Sequence, residues 1–224
     1  RDKSILVDGI PESNLVLYCP GLQGRGGTLL DRSPQANHGT IIGATWVATN
    51  RGLRVLSFDG TSDYVDIGTP ASLNLKTAFT FAAWVKGTWS GTVYMYGIIN
   101  LGGKEMRIGD TTLAGKDLAQ VAFERVAGGW AEIYGTTHLT AGVWYRISAT
   151  YDQITLRLYV NGVQENSVAE TATIVDSTNG WLGKDTGGAR YLDGLMGLPL
   201  ILSRARSATE ELRHYNRERH LFGV

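Results

Sequence analysis

The run from 154 to 169 constrains the fold more than any other part of the chain. Ile154, Leu156, Leu158 and Val160 alternate with Thr155, Arg157 and Tyr159, and a second run starts at Val163 after Asn161-Gly162. Period-two alternation sends successive side chains to opposite faces of a strand. Asn-Gly accepts the positive φ that a type I′ turn requires at both central residues. Together these features predict a β-hairpin. A lone hairpin is marginal in water, so further strands must cover its apolar face.

The rest of the chain supplies them. Phe79, Phe81, Ala83 and Val85 alternate with Thr80, Ala82, Trp84 and Lys86. Both sets are partly apolar, which predicts a central strand covered on both faces. Residues 144–151 form another alternating run, and strands are expected at 54–58, 64–67, 94–101, 105–108, 120–125, 131–134, 174–182 and 195–202. So many short strands, in 224 residues with 29 glycines and 5 prolines, indicate an all-β two-sheet sandwich rather than βαβ units. Residues 1–14 are polar and read as an N-terminal arm, 15–206 as the sandwich, and 207–224 as a helix with its tail. Ser207-Ala208-Thr209-Glu210 is a capping box. It predicts one helix to about residue 218, with Leu212 and Tyr215 toward the body. Arg213, His214, Arg217, Arg219 and His220 make this segment locally basic, and a solvated face is expected there rather than an anion site.

Charge and composition exclude several functions. Lys plus Arg number 21 and Asp plus Glu 21, so no bulk field draws the chain to nucleic acid or an anionic membrane. No stretch is a membrane span, and the opening residues carry no signal-peptide pattern. The single cysteine, Cys19, can form neither an internal disulfide nor a cysteine-based zinc site, and reads as a core residue. There is no His-Glu-x-x-His, Gly-x-Ser-x-Gly or phosphate loop.

Three ordered stretches carry a family resemblance. The first is Leu15-Val16-Leu17-Tyr18, followed by Leu30-Asp31-Arg32-Ser33-Pro34-Gln35-Ala36-Asn37-His38-Gly39-Thr40. The second is Leu56-Ser57-Phe58-Asp59-Gly60-Thr61-Ser62-Asp63-Tyr64-Val65-Asp66-Ile67, with the Phe79–Lys86 run. The third joins residues 144–162, Leu182-Gly183 and the 203–212 segment. Together they resemble the laminin-G-like, concanavalin A-like lectin/glucanase superfamily, in its bacterial and phage jelly-roll branch. The resemblance implies two antiparallel sheets packed face to face in a jelly roll, one of them concave. It gives Asp59-Gly60 the role of a turn and Asp31, Ser33 and Asn37 that of pinning a loop through its own backbone.

The superfamily's glucanases place a carboxylate pair on one strand, and this chain has no Glu-x-Asp-x-x-Glu run to supply it. No enzyme is therefore expected. The family's loops often hold calcium, and Asp31, Asn37 and Asp193 are the candidate ligands, although Gly197 stands where the pattern usually has an aspartate. Trp84, Trp144 and Trp181 lie in or beside motif strands and are expected in the core. Trp89, Tyr94, Tyr96, Trp130 and Tyr134 lie where the resemblance is thinnest and are the candidate ligand surface. The expected function is a lectin-like module that binds glycan or cell-surface polymer at an extracellular, cell or virion surface. The alternative is a structural or decorating subunit whose sandwich binds neighbouring protein subunits, and a glycoside hydrolase is the third reading.

Overall fold

The structure, a computed structural model, describes residues 5–7, 10–12, 14–21, 26–89, 95–109, 117–186 and 190–224. Its strands are β1 (Ile5–Val7), β2 (Ile10–Glu12), β3 (Leu15–Tyr18), β4 (Thr28–Leu29), β5 (Gly39–Ile42), β6 (Thr45–Ala48), β7 (Arg54–Asp59), β8 (Tyr64–Asp66) and β9 (Phe79–Gly87). They continue with β10 (Tyr96–Asn100), β11 (Lys104–Ile108), β12 (Ala119–Glu124), β13 (Trp130–Tyr134), β14 (Tyr145–Tyr151), β15 (Thr155–Val160), β16 (Val163–Ala169), β17 (Trp181–Leu182) and β18 (Asp193–Leu202). One α-helix, α1 (Ala208–Phe222), follows.

Two antiparallel sheets form the sandwich, as expected. One runs β13-β12-β11-β10-β17-β8-β5-β4, and the other β16-β15-β14-β9-β18-β7-β6 with β3 added on β18. The predicted hairpin is β15–β16, with Asn161 at φ 52 and Gly162 at φ 77 in its turn. Phe79, Phe81, Ala83 and Val85 of β9 meet Met106, Val121 and Ile133 of the facing sheet in one continuous core. Burying such side chains supplies the main driving force for the sandwich. Cys19 is buried, and that burial, followed by the nearby Asp31 charge, pushes its thiol well up.

The other face of β9 is covered by the helix. The Trp84 ring stacks on Phe222 at 4.3 Å and its indole N–H donates to Glu218 at 2.6 Å. The capping box forms as predicted, but the helix extends to Phe222, where Gly223 at φ 76 closes it. Its buried stripe differs from the expected one. Glu211, His214, Glu218 and Phe222 face the sheet, Leu212 is 44% exposed, and Tyr215 is half-buried against Trp84. The reason lies beneath the helix, where β14 presents Arg146 and Ser148. Arg146 binds Glu211 at 2.5 Å and Glu218 at 2.9 Å, and Ser148 donates to Glu211 at 2.7 Å. Buried carboxylates are tolerated where such partners meet them.

Three other expectations shift. The arm contains the β1–β2 pair, a two-stranded sheet of its own. The strand expected over 174–182 shrinks to β17, with Ile174 in an isolated bridge. Its backbone is taken by loops instead, since Val175 N–H donates to Glu124 and Ser177 N–H to Asn74. The short strands β4, β5 and β6 are additions, too brief to show a period.

Candidate functional site

The β13-to-β4 sheet has a core face and a solvent face, and register assigns the residues to each. Val65, Leu182, Ile99, Met106, Val121 and Ile133 point into the core. Asp66 opposes Trp181, Trp181 opposes Asn100, Asn100 opposes Glu105, Glu105 opposes Ala122, and Ala122 opposes Glu132. Directly opposed residues share a face, so these six form one row on the face turned away from the core, where Asn100, Glu105 and Ala122 are nonetheless buried. Arg107, Gln120 and Tyr134 form the neighbouring row.

The chain after β17 folds over this face. A bridge joins Lys184 to Tyr191, and the Lys184–Asp185 backbone passes directly over Gly97. A β-carbon at 97 would lie 2.4 Å from the Asp185 nitrogen, so only glycine admits the strap. Asp185 then points down into the rows. Its carboxylate accepts from Asn100 at 3.1 Å, Arg190 at 3.2 Å and Arg107 at 3.4 Å. Arg107 also binds Glu105 and Gln120, and Gln120 donates to Glu132 at 3.1 Å. Asn100 reaches Glu105 at 3.2 Å, while its amide oxygen accepts from Gly102 N–H. Asn100, Glu105, Arg107, Gln120 and Asp185 are all buried. Burial and a hydrogen bond to Asp185 push the Glu105 carboxyl up to about 8. Burial would raise Asp185 too, but the Glu105 hydrogen bond and the Arg107 charge hold it low. The pair forms a buried floor whose oxygens are already engaged.

Beside this floor stands an aromatic group. The Tyr64 and Trp181 rings meet edge to face at 6.3 Å, and Tyr191 lies 6.4 Å from Tyr64. The Lys184 ammonium rests 4.2 Å from the Trp181 ring centre, 4.3 Å from Tyr64 and 5.5 Å from Tyr191. Cation–π attraction holds it there. All four side chains are half-buried. Trp181 therefore departs from its expected core position, because the odd face of a two-residue strand here is the solvent face. Trp84 and Trp144 are buried as expected.

The sequence-derived candidates fall in different places. Trp89 and Tyr96 are each 3% exposed and pack edge to face at 5.6 Å inside the sandwich. Tyr94 lies outside the described residues. Trp130, 44% exposed, and Tyr134, half-buried, stand on the solvent face at the β13 edge. Asp31 and Asn37 come together, but as a knot: the Asp31 carboxylate accepts from Tyr18 N–H, Ser33 N–H, the Ser33 hydroxyl and Asn37 N–H at 2.6–2.8 Å. Asn37 reaches onward to Val16 and Ser72. Asp193 sits elsewhere, opposite Asp59 and bonded to Thr88. Donors already surround the Asp31 oxygens where calcium would need vacant ones, so this set does not fit that ion. Among the described residues, no group of three His, Cys, Asp or Glu side chains could hold a metal. No helix among them is long and apolar enough to cross a membrane. Arg213, Arg217, Arg219 and His220 lie on the exposed side of α1.

A family model described as the concanavalin A-like lectin/glucanases superfamily matches residues 59–210, and the chain belongs to that superfamily. Among proteins of curated function, no sequence matches. Solved structures do. The binding domain of Paraclostridial Mosquitocidal Protein 1 is 14% identical with a TM-score of 0.70, over 91% of this chain and 52% of that one. Domain 4 of AbnA, an extracellular arabinanase from Geobacillus stearothermophilus solved with arabinotriose, is 15% identical with a TM-score of 0.69, over 90% and 98%. A botulinum neurotoxin type C structure, whose cell entry depends on two ganglioside molecules, is 13% identical with a TM-score of 0.67, over 91% and 51%. These likenesses show the fold. The chain spans about half the length of the toxin domains and nearly all of the arabinanase domain.

Proposed function

We propose that this chain is a non-catalytic glycan-binding module of a surface or secreted protein, and that it receives its ligand on the solvent face of the β13-to-β4 sheet. The observation that carries the reading is the cluster of Tyr64, Trp181 and Tyr191, three half-buried rings grouped on one face with the Lys184 ammonium. Aromatic rings take the apolar faces of sugars. Trp130 and Tyr134 lie on this face at the β13 edge, separated from the cluster by the buried Asn100, Glu105 and Ala122. The arabinotriose complex of the similar arabinanase domain supports the reading.

The state of Glu105 and Asp185 supports the non-catalytic reading. A retaining pair must face a substrate with one free acid and one free nucleophile. Here both carboxylates are buried and bound to Asn100 and Arg107. A protein partner is the second reading, supported by a similar botulinum toxin domain solved with rat synaptotagmin II. A glycan array followed by calorimetry tests the proposal. Trp181→Ala and Tyr64→Ala should abolish binding to whichever glycan the native chain retains, with unchanged circular dichroism. Binding that survives both changes would refute this placement.

A further inference from the structure

We infer that the glycan received at this face carries an acidic group, a carboxylate or a sulfate, seated against the Lys184 ammonium. The inference rests on the glycan-binding reading and names its ligand class. Lys184 holds its place through rings alone: its ammonium lies over Trp181, Tyr64 and Tyr191, and among the described residues no carboxylate lies within ion-pair distance of it. The acids nearby are engaged. Asp185 answers Arg107 and Arg190, and Asp66, one strand from Trp181, accepts from Gly68 N–H. The site thus presents one half-buried cation whose counter-charge no described residue supplies.

That cation sorts ligands. A neutral sugar stacks by laying its apolar face on a ring, but the ammonium already lies over the Tyr64 and Trp181 rings. Stacking there must displace Lys184 and forfeit its cation–π contacts. An acidic sugar meets the ammonium where it stands, gains a charge-assisted hydrogen bond, and can rest its ring on the remaining aromatic edge.

Calorimetry on the full chain tests this with matched probes: trigalacturonate, sialyllactose and a heparin tetrasaccharide against neutral galactotriose and lactose. At least one acidic probe should bind about tenfold more tightly than the neutral ones, a margin of one charge-assisted hydrogen bond. That margin should shrink in high salt. Lys184→Gln should remove it, Lys184→Arg should keep most of it, and both variants should melt like the native chain. The preferred acidic probe tells carboxylate from sulfate. Equal native affinity for neutral and acidic probes, or a Lys184→Gln chain that still prefers the acid, overturns the inference. If a neutral probe binds and Trp181→Ala abolishes it, the glycan reading survives alone. If no glycan on array or in calorimetry binds the native chain, both fall.

Discussion

Gly97 lies beneath the peptide that joins Lys184 to Asp185: a β-carbon there would stand 2.3 Å from the Lys184 carbonyl carbon and 2.4 Å from the Asp185 nitrogen. Both obstructing atoms are backbone, so no side chain can swing aside. Gly97→Ala must lift the strap and pull Asp185 off Asn100 and Arg107. Overpacking of this kind costs about 1–3 kcal/mol. Urea denaturation should register that loss, and Trp181 fluorescence should change because Lys184 moves with the strap. A Gly97→Ala chain as stable as the native one would show that the close approach does not constrain the strap.

The Arg146 network makes a second prediction. Arg146 is fully enclosed between Glu211 and Glu218, with Ser148 and Trp84 completing their hydrogen bonds. Removing one partner leaves a charge stranded away from water, at a cost of about 3–5 kcal/mol. Glu211→Ala and Arg146→Ala should each fall in that range in denaturant melts. The combined change Arg146→Met, Glu211→Leu, Glu218→Leu should be milder than the sum of the single ones, because Arg146 and its two carboxylates leave together, although Arg206, Ser148 and Trp84 each lose a partner. Strict additivity of the three would contradict this picture.

The same network sets the acid limit of stability. Burial would raise the Glu218 carboxyl, but Arg146, then the neighbouring His214 and the hydrogen bond from Trp84, hold it down to about 2. Glu211 is likewise lowered against its burial, chiefly by Arg146 and Arg206. A depressed folded-state value means the unfolded chain takes up the proton first. The contribution is therefore complete above about 4.5, the ordinary glutamate value, and is lost as pH falls from there toward 2. Glu105 acts with the opposite sign. Its value is raised to about 8, so the folded state keeps a proton that the unfolded chain releases, and stability declines as pH rises from about 4.5 to 8. Glu105→Gln should flatten that alkaline limb while leaving the acid limb intact. Thermal melts across the range check both slopes, and an alkaline limb unchanged in Glu105→Gln would show that Glu105 is ionised in the fold.

The strands were legible wherever alternation ran for five or more residues, as at Phe79–Gly87 and Thr155–Val160. Short-range chemistry was legible too: the capping box, the Asn161-Gly162 turn and the Asp31 knot all bond within or near their own loops. The binding face was not. Glu105 and Arg107 alternate with Met106 and Ile108, which signals a strand with one charged face, yet nothing near them announces Asp185. That partnership spans about eighty residues and exists only because Gly97 lets the strap cross. Trp181 misled for a related reason, since a two-residue strand has no period from which to read its face. The helix misled through its partners, because the charged stripe looks solvent-facing until Arg146 is found beneath it.

Trp89 and Trp130 separate core from surface among the aromatics of the variable region. Trp89 is 3% exposed, wedged against Tyr96 and the Gly87 backbone, while Trp130 is 44% exposed at the sheet edge. Truncating a buried tryptophan costs about 3–5 kcal/mol through lost burial and the cavity left behind, whereas an exposed one stays within about 0.5 kcal/mol of the native chain. Trp89→Ala should therefore melt early, and any loss of binding it shows should track the loss of fold. Trp130→Ala should melt normally. If the glycan extends the full width of the face, Trp130→Ala should weaken long oligosaccharides severalfold and leave short ones untouched. If its effect does not depend on ligand length, the bound sugar is confined to the neighbourhood of Trp181.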